Sequence, residues 1–279
     1  MRREAAVGRP RVASGVRGAA VLVLGLTMVV PFLYMLGTAF MGELEVLRFP
    51  PPLFPARARP ENFRAALTAL PFGRFFLNSA IFSLSVAAGQ VITSATAAYA
   101  FARLRFPGRD RVFMAYLSVL MVPAVVLLIP RFLLINALGW VDTYQGLIST
   151  ELVSVWGIFL LRQFFQTLPR DLEDAARLDG AGEWTIFWRV VLPLSKPALA
   201  TLAVFALAEQ WRSFLWPLIA TRSTEMQVVE VGIASFHGLY YTNWPYQMAV
   251  AVTALVPLLV LYFVAQRYFV RGTQLMGLR

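Results

Sequence analysis

The long apolar stretches of this 279-residue chain contain few side chains that could bind a solute or take part in a reaction. Glu151, Glu209, Trp211 and Arg212 all lie in or beside such stretches. A charged side chain inside a membrane is energetically expensive, so it is expected to bind a solute or to pair with another group. Glu209 and Arg212 are three positions apart and could pair on one helix face. These groups are too few to assemble the acid, base and nucleophile of an intramembrane enzyme.

The composition places the chain among membrane proteins. Apolar residues make up 58% of the chain, charged residues 14%, and the mean hydropathy is +0.65. Soluble proteins carry about 25% charged residues. The chain has no cysteine and a single histidine, His237, which excludes most thiol, disulfide and metal chemistry. Its one lysine, Lys196, follows no glycine-rich run, so no phosphate-binding loop is present and any ATP is hydrolysed by another chain.

Apolar stretches long enough to cross a bilayer, about 20 residues each, start at six places. They begin near Gly18, Leu77, Val112, Thr143, Ala198 and Met248. Six spans put both termini on one side, and that side would hold 17 of the basic residues, against seven on the other. Basic residues beside spans stay inside, so the sequence predicts an all-α integral membrane protein with both termini in the cytoplasm. Nucleic acid is excluded as a partner because the arginines are spread over separate loops, whereas contact with membrane lipid is expected.

These spans divide the chain into five predicted regions. They are a basic cytoplasmic tail (1–17), a first transmembrane helix (18–40), an extracytoplasmic loop (41–74), a transmembrane core (75–268) that includes a cytoplasmic loop (167–197), and a cytoplasmic C-terminal tail (269–279). Pro123 and Pro130 predict an irregular third span, because a buried proline leaves backbone carbonyls without their helical partners.

The cytoplasmic loop between the fourth and fifth spans contains the most informative pattern. Pro169 suits a first helical turn and Gly180 a helix end, which predicts a short amphipathic helix of about three turns. Acidic residues gather where the helix dipole favours anions: Asp171, Glu173 and Asp174. Helices that lie on bilayers carry basic residues instead. The pattern therefore favours a helix that inserts into a groove of a cytoplasmic partner.

This loop resembles the Glu-Ala-Ala loop of ABC importer permeases. The matching positions are Asp174-Ala-Ala, Gly180, Val190 and Leu192-Pro193, with Asp174 in place of the usual Glu and Val190 in place of Ile. From residue 72 onward, further segments are similar to the sugar-importer branch, in particular the smaller permease of maltose-type systems. They are Met121–Pro130, Leu138–Tyr144, Gly157–Phe165, Phe214–Leu218 and Phe269–Gly272.

The resemblance implies a type I permease fold in the bacterial or archaeal cytoplasmic (inner) membrane, and a transport subunit that is not an enzyme. The implied partners are a second, homologous permease, two ATPase subunits that bind ATP and Mg, and an extracytoplasmic binding protein; this chain itself binds no cofactor and no metal. The short cytoplasmic helix would be the coupling helix that docks into the ATPase. Its implied contact residues are Glu173, Asp174, Ala175, Ala176, Asp179 and Gly180, joined by Arg271 in the C-terminal tail.

The resemblance also implies import of a sugar, such as a di- or oligosaccharide, by alternating access. Family members often have an aromatic residue followed by Asn where this chain has Trp211 and Arg212. Arg212 could therefore bind glycerol-phosphate or another polar anion, or could contact the partner permease. Trp211 could stack on a sugar or pack in the core, and Glu151 could line the pathway or pair with Arg131. A stand-alone secondary transporter is the other alternative, but the paired repeats typical of that class are not evident.

Overall fold

The computed structural model describes residues 11–238 and 242–276, with side chains described for 18–238 and 242–266. The described residues are helical apart from turns and one isolated β-bridge, between His237 and Thr242. The predicted all-α class is thus confirmed. The described residues form two compact units, one made of 11–66, 236–238 and 242–253, the other of 67–235 and 254–276.

The first unit contains the predicted first transmembrane helix. Its helices include α1 (Arg11–Ala39) and α2 (Glu43–Val46), and α3 (Glu61–Ala69) begins in it. The segment Gly18–Ala39 has the length and composition of a membrane span, and most of its side chains are exposed, as expected of a helix that faces lipid. The buried Asn62 donates hydrogen bonds to the carbonyls of Ala39 (2.9 Å) and Met41 (2.8 Å), which satisfies acceptors that the end of α1 leaves free.

The second unit is built on α4 (Phe72–Arg103). This helix begins at Phe72, inside the region predicted as loop 41–74. Its first aromatic residues, Phe72 and Phe75, are fully buried, and their packing extends the helix toward its N-terminus. Buried side chains of α4 and of the segments that pack on it form the core. They are Ala95, Ala98, Tyr99, Ala102, Leu161, Phe165, Ile186, Phe187, Val191, Ala198 and Leu202.

The third predicted span is broken, as its prolines indicated. It comprises α5 (Arg109–Leu117), two 3₁₀ turns (Ser118–Met121 and Ala124–Leu127) and α6 (Leu128–Ala137), with a bend of 95° between its halves. Pro123 stands at the bend and Val122 before it is extended, the conformation that a following proline favours.

The fourth predicted span, starting at Thr143, is also interrupted. The structure has α7 (Tyr144–Ser149) and α8 (Val155–Thr167), each capped by a hydroxyl: Thr143 accepts from the N–H of Gly146 and Ser154 from that of Gly157. Residues 150–154 between them are not helical, so the fourth predicted span is not one continuous helix and Glu151 lies in its break.

The remaining helices follow from the cytoplasmic loop to the C-terminal end. They are α9 (Asp171–Leu178), α10 (Glu183–Ile186), a π-helical turn (Phe187–Val191), α11 (Leu192–Leu194), α12 (Lys196–Trp211), α13 (Leu215–Ala220), α14 (Val229–Ala234) and α15 (Trp244–Met276). Among the described residues, three helices can each cross a membrane, and counting each strongly bent pair as one span gives up to five. The topology of six spans with both termini in the cytoplasm stays a prediction.

Candidate functional site

The predicted amphipathic helix of the cytoplasmic loop is α9. It spans eight residues, about two turns rather than three, because Pro169 precedes the N-cap residue Arg170 and lies outside the helix. At the other end Gly180 has a φ of +81°, which glycine adopts readily. The N–H of Ala181 bonds to the carbonyl of Ala176 (2.9 Å) and that of Gly180 to Arg177 (3.0 Å), the two bonds of a Schellman cap. The predicted end of the helix at Gly180 is confirmed.

One face of α9 is apolar and open to solvent. Leu178 is 90% exposed and Leu172 47% exposed, and Ala175 lies exposed between them in the helical spacing. We call Leu172, Ala175 and Leu178 the outer face of α9. The acidic Asp174 and Asp179 flank this face and are also exposed. Large exposed apolar side chains rimmed by charges are typical of a surface that binds another protein.

The opposite face of α9 is fixed to the end of α4. Glu173 is only 3% exposed, and its carboxylate forms an ion pair with Arg103 at 2.9 Å. Arg103 also donates to the carbonyl of Leu168 at 2.8 Å. Glu173 was predicted to contact the ATPase, and its side chain instead faces the core of its own chain. Two positions along a helix differ by about 200°, so Glu173 points away from Ala175. The neighbouring Ala176 is half-buried against the core and is likewise inward.

A second set of charged contacts joins α9 to α10. Arg177 bonds Asp174 at 2.8 Å and Glu183 at 3.0 Å and lies 3.6 Å from Glu173. The hydrogen bond to Glu183 raises the pKa of the Arg177 guanidinium above its already high ordinary value, so this group stays cationic. Tyr99 of α4 donates to the other oxygen of Glu183 at 2.6 Å. Side-chain bonds therefore connect α4, α9 and α10 in one network.

The linking residues Tyr99, Arg103, Arg177 and Glu183 were not identified from the sequence. Arg103 carried a usable signal, because it is a charge at the end of an apolar span and such a charge requires a partner. Nothing in the local pattern identifies that partner as Glu173, which lies 70 positions away along the chain (103 to 173).

Glu151 lies in the break between α7 and α8 and pairs with Arg131 of α6. The structural alternative considered for Glu151 is thus confirmed. The guanidinium of Arg131 also stacks on Trp216, 4.1 Å from the ring centre. Gln90 of α4 donates to the backbone carbonyl of Glu151 at 2.8 Å, and Thr93 to that of Leu152, also at 2.8 Å. Side chains thereby satisfy the non-helical backbone, as irregular structure at membrane depth requires.

The other predicted pathway residues lie at the end of α12. Trp211 is 6% exposed and its indole N–H donates to the carbonyl of Ala254 at 3.1 Å, so it packs in the core. The helix ends at Trp211, which leaves Arg212 beyond it, with its Nε bonded to the carbonyl of Ala208. Glu209 and Arg212 form no direct ion pair, but their charges interact. Both side chains are exposed, and Arg212 forms no direct ion pair within the described part of the chain, although its charge interacts with those of Glu209 and Glu230.

The C-terminal tail contributed one predicted ATPase contact, Arg271. The backbone of α15 includes this position, but its side chain lies outside the described residues. Its contact with an ATPase stays a prediction.

Residues 90–274 match the family described as binding-protein-dependent transport system inner membrane component. The chain belongs to this family. It is also 33% identical, over 269 residues, to the sn-glycerol-3-phosphate transport system permease protein UgpE of Rhizobium meliloti, covering 93% of this chain and 95% of that protein. The UgpE protein of Yersinia pestis is 34% identical over 260 residues, covering 90% and 92%.

Solved structures of a bacterial ABC transporter for the acidic polysaccharide alginate share the fold. One chain matches with a TM-score of 0.81 at 22% identity, over 96% of this chain and all of that chain. Another, from the complex with a periplasmic protein bound to an alginate pentasaccharide, has a TM-score of 0.68 at 20% identity, over 94% and 97%. The family and the relatives identify the chain as a permease subunit of an ABC importer and not an enzyme.

Proposed function

We propose that the chain is one of two permeases in a bacterial inner-membrane importer and that α9 is its coupling helix. The observation that carries this proposal is the contrast between the two faces of α9. The outer face leaves Leu178 90% exposed, whereas the inner face is fixed to α4 through the buried pair of Glu173 and Arg103. A helix that is rigidly attached on one side and apolar on the other suits the transfer of motion from a docked partner.

The docked partner in this proposal is one of two ATPase subunits, which bind ATP and Mg. Leu172, Ala175 and Leu178 enter its cleft, while Asp174 and Asp179 at the rim contact it through charge. This assignment keeps the contacts predicted for Asp174, Ala175, Asp179 and the cap residue Gly180, and it moves Glu173 and Ala176 to the inner face. A second permease completes the membrane pathway, and an extracytoplasmic binding protein delivers the solute.

The substitution Leu178→Glu tests the docking of α9. It places a charge in the apolar centre of the outer face, where an unpaired carboxylate must lose its water on docking. We expect the purified complex to lose most of its ATPase subunits while the chain still inserts into the membrane. The measurement is the ratio of ATPase to tagged chain after affinity purification from mild detergent.

The matched control is Leu44→Glu, because Leu44 is 82% exposed and belongs to the other unit, in α2. This variant should retain the ATPase as the unmodified chain does. Full retention by Leu178→Glu, with normal uptake, would show that the outer face of α9 is not the docking surface.

We further propose that the solute is a polyhydroxy compound carrying an anionic group, of the glycerol-phosphate kind. Arg212 is an exposed cation beyond the end of α12 that forms no direct ion pair in the described chain, with Glu209 and Glu230 near enough to interact with its charge. Two relatives that cover nearly the whole chain are named as glycerol-3-phosphate permeases. A neutral di- or oligosaccharide is the second candidate, favoured by the segments similar to maltose-type permeases.

Uptake by the reconstituted complex distinguishes the two candidates. Proteoliposomes holding the chain with the permease, ATPase and binding protein that co-purify with it are given labelled sn-glycerol-3-phosphate or labelled maltose. We expect ATP-dependent accumulation of the phosphate ester. Accumulation of maltose alone would show that the substrate is the neutral sugar and not the anion. Accumulation of either solute without ATP would indicate a secondary transporter instead.

A further inference from the structure

A basic cleft of about 740 Å³ lies where α4 connects to α5. Its lining combines the connecting residues, the first turn of α5 and the N-cap residue of α9. They include Arg105, Phe106, Arg109, Asp110, Arg111 and Arg170. We call this the basic cleft. Arg105 and Arg170 also line the neighbouring pocket that contains the pair of Arg103 and Glu173, but in the described part of the chain they form no ion pair there.

The single acidic residue of the basic cleft is already neutralised. The carboxylate of Asp110 lies 3.2 Å from the guanidinium of Arg109 and 3.4 Å from that of Arg162. Arg162 is held in place by stacking on Phe113, at 4.0 Å from the ring centre. Two cations therefore share one anion, and Asp110 has little capacity left to offset further positive charge.

Three more guanidinium groups line the cleft without an acidic partner. The side chains of Arg105, Arg111 and Arg170 form no ion pair and no hydrogen bond within the described part of the chain, and all three are exposed. Cations that face one cleft repel one another, and an anion between them removes that repulsion. Guanidinium groups bind phosphate oxygens with paired hydrogen bonds, so a phosphate group suits this set of donors.

Apolar residues beside the basic cleft favour a lipid as the carrier of that phosphate. Phe106 in the lining is 38% exposed, and Val112, one turn beyond Arg109 on α5, is 53% exposed. A cationic site next to exposed apolar side chains offers one contact to a headgroup and another to acyl chains. Basic pockets at the cytoplasmic side of transmembrane helices bind anionic headgroups in this manner.

We propose that the basic cleft binds a phosphate-bearing anion through Arg105, Arg111 and Arg170, and that an anionic phospholipid headgroup supplies it. Because Arg170 is the N-cap residue of α9, the bound phosphate would join the start of α9 to the start of α5. The importer would then depend on anionic lipid for the placement of its coupling helix.

The test uses the purified full-length chain in detergent micelles, stripped of lipid and titrated with dioleoylphosphatidylglycerol. Parallel titrations use dioleoylphosphatidylcholine and inorganic phosphate, and native mass spectrometry counts the bound molecules. The cleft variant carries Arg105→Gln, Arg111→Gln and Arg170→Gln. The control variant carries Arg57→Gln, Arg189→Gln and Arg222→Gln, which removes the same charge from exposed positions outside the cleft.

We expect the cleft variant to bind phosphatidylglycerol roughly a hundredfold more weakly. Each basic residue near an anionic headgroup strengthens binding about fivefold, and the variant removes three of them. The control variant should bind as the unmodified chain does, and phosphatidylcholine should bind weakly to all three. Competition by millimolar inorganic phosphate would support the site but make free phosphate its source. Should the cleft variant fail to fold, Arg111→Gln alone should weaken binding about fivefold.

Equal binding of phosphatidylglycerol by the cleft variant and the unmodified chain would overturn the proposal. An equal loss in the cleft and control variants would also overturn it, because the effect would then be one of net charge. Neither probe is a candidate transport substrate, and neither titration needs an ATPase. A negative result here therefore leaves the proposed function untouched. Failure of the docking test for α9 would leave the lipid site in place and remove only its consequence for the coupling helix, which rests on the proposed function.

Discussion

The pair of Arg103 and Glu173 explains how a charged residue can end an apolar span. Their side chains are 2% and 4% exposed, so neither charge keeps its hydration. The ion pair at 2.9 Å and the bond from Arg103 to the carbonyl of Leu168 replace part of that hydration. Such a pair adds little net stability compared with an apolar pair, but it makes each member dependent on the other.

We predict that Glu173→Leu destabilises the chain by about 3–5 kcal/mol, because it leaves the Arg103 guanidinium buried without a counter-charge. The double variant Arg103→Met with Glu173→Leu should recover most of the loss, since neither charge then remains. Chemical unfolding in detergent, followed by tryptophan fluorescence, measures both. A single variant as stable as the unmodified chain would mean that water reaches Arg103 and that the pair does not hold α9.

At the level of helices and turns, the sequence predicts the structure where the contacts that determine it come from residues nearby in the chain. Gly180 marked the end of α9 because its cap depends on backbone within five residues. The break at 150–154 was missed because Gln90 and Thr93 satisfy its carbonyls from about 60 positions away. An apolar run by itself predicts a continuous helix. The same limit applies to the inner face of α9, where the partner of Glu173 comes from a distant helix.

The cap of α9 leads to a prediction about Gly180→Ala. A Cβ at this position meets nothing within 4 Å, so the cost comes from the φ of +81° alone. That cost is about 1–2 kcal/mol for a residue with a side chain. We expect faster amide hydrogen exchange in residues 171–181 and weaker retention of the ATPase.

Gly182→Ala is the matched control for Gly180→Ala. Gly182 also has open space around it, but its φ is −74°, which alanine adopts without strain. This variant should exchange and dock as the unmodified chain does. If both variants behave alike, the left-handed conformation at Gly180 is not what ends α9.

For the molecule as a transporter, the important property is that α9, the proposed coupling helix, is bonded to a helix that is a candidate membrane span. Tyr99 lies in the candidate span Phe72–Arg103, and its hydroxyl reaches Glu183 just beyond α9. Arg177 joins the same carboxylate to α9. Movement of α9 would therefore pull on α4 through hydrogen bonds as well as through packing.

This connection predicts a separable effect of Tyr99→Phe. The ring stays packed on Phe187, 5.1 Å between ring centres, but the bond to Glu183 is lost. A hydrogen bond to a charged group contributes about 1.5–3 kcal/mol, enough to loosen the link without unfolding the bundle. We expect the ATPase to stay bound and active while the amount of solute transported per ATP falls several-fold in proteoliposomes. Tyr262→Phe, at an exposed position on α15, should leave that ratio unchanged. An unchanged ratio in Tyr99→Phe would mean that packing alone carries the motion from α9 to α4.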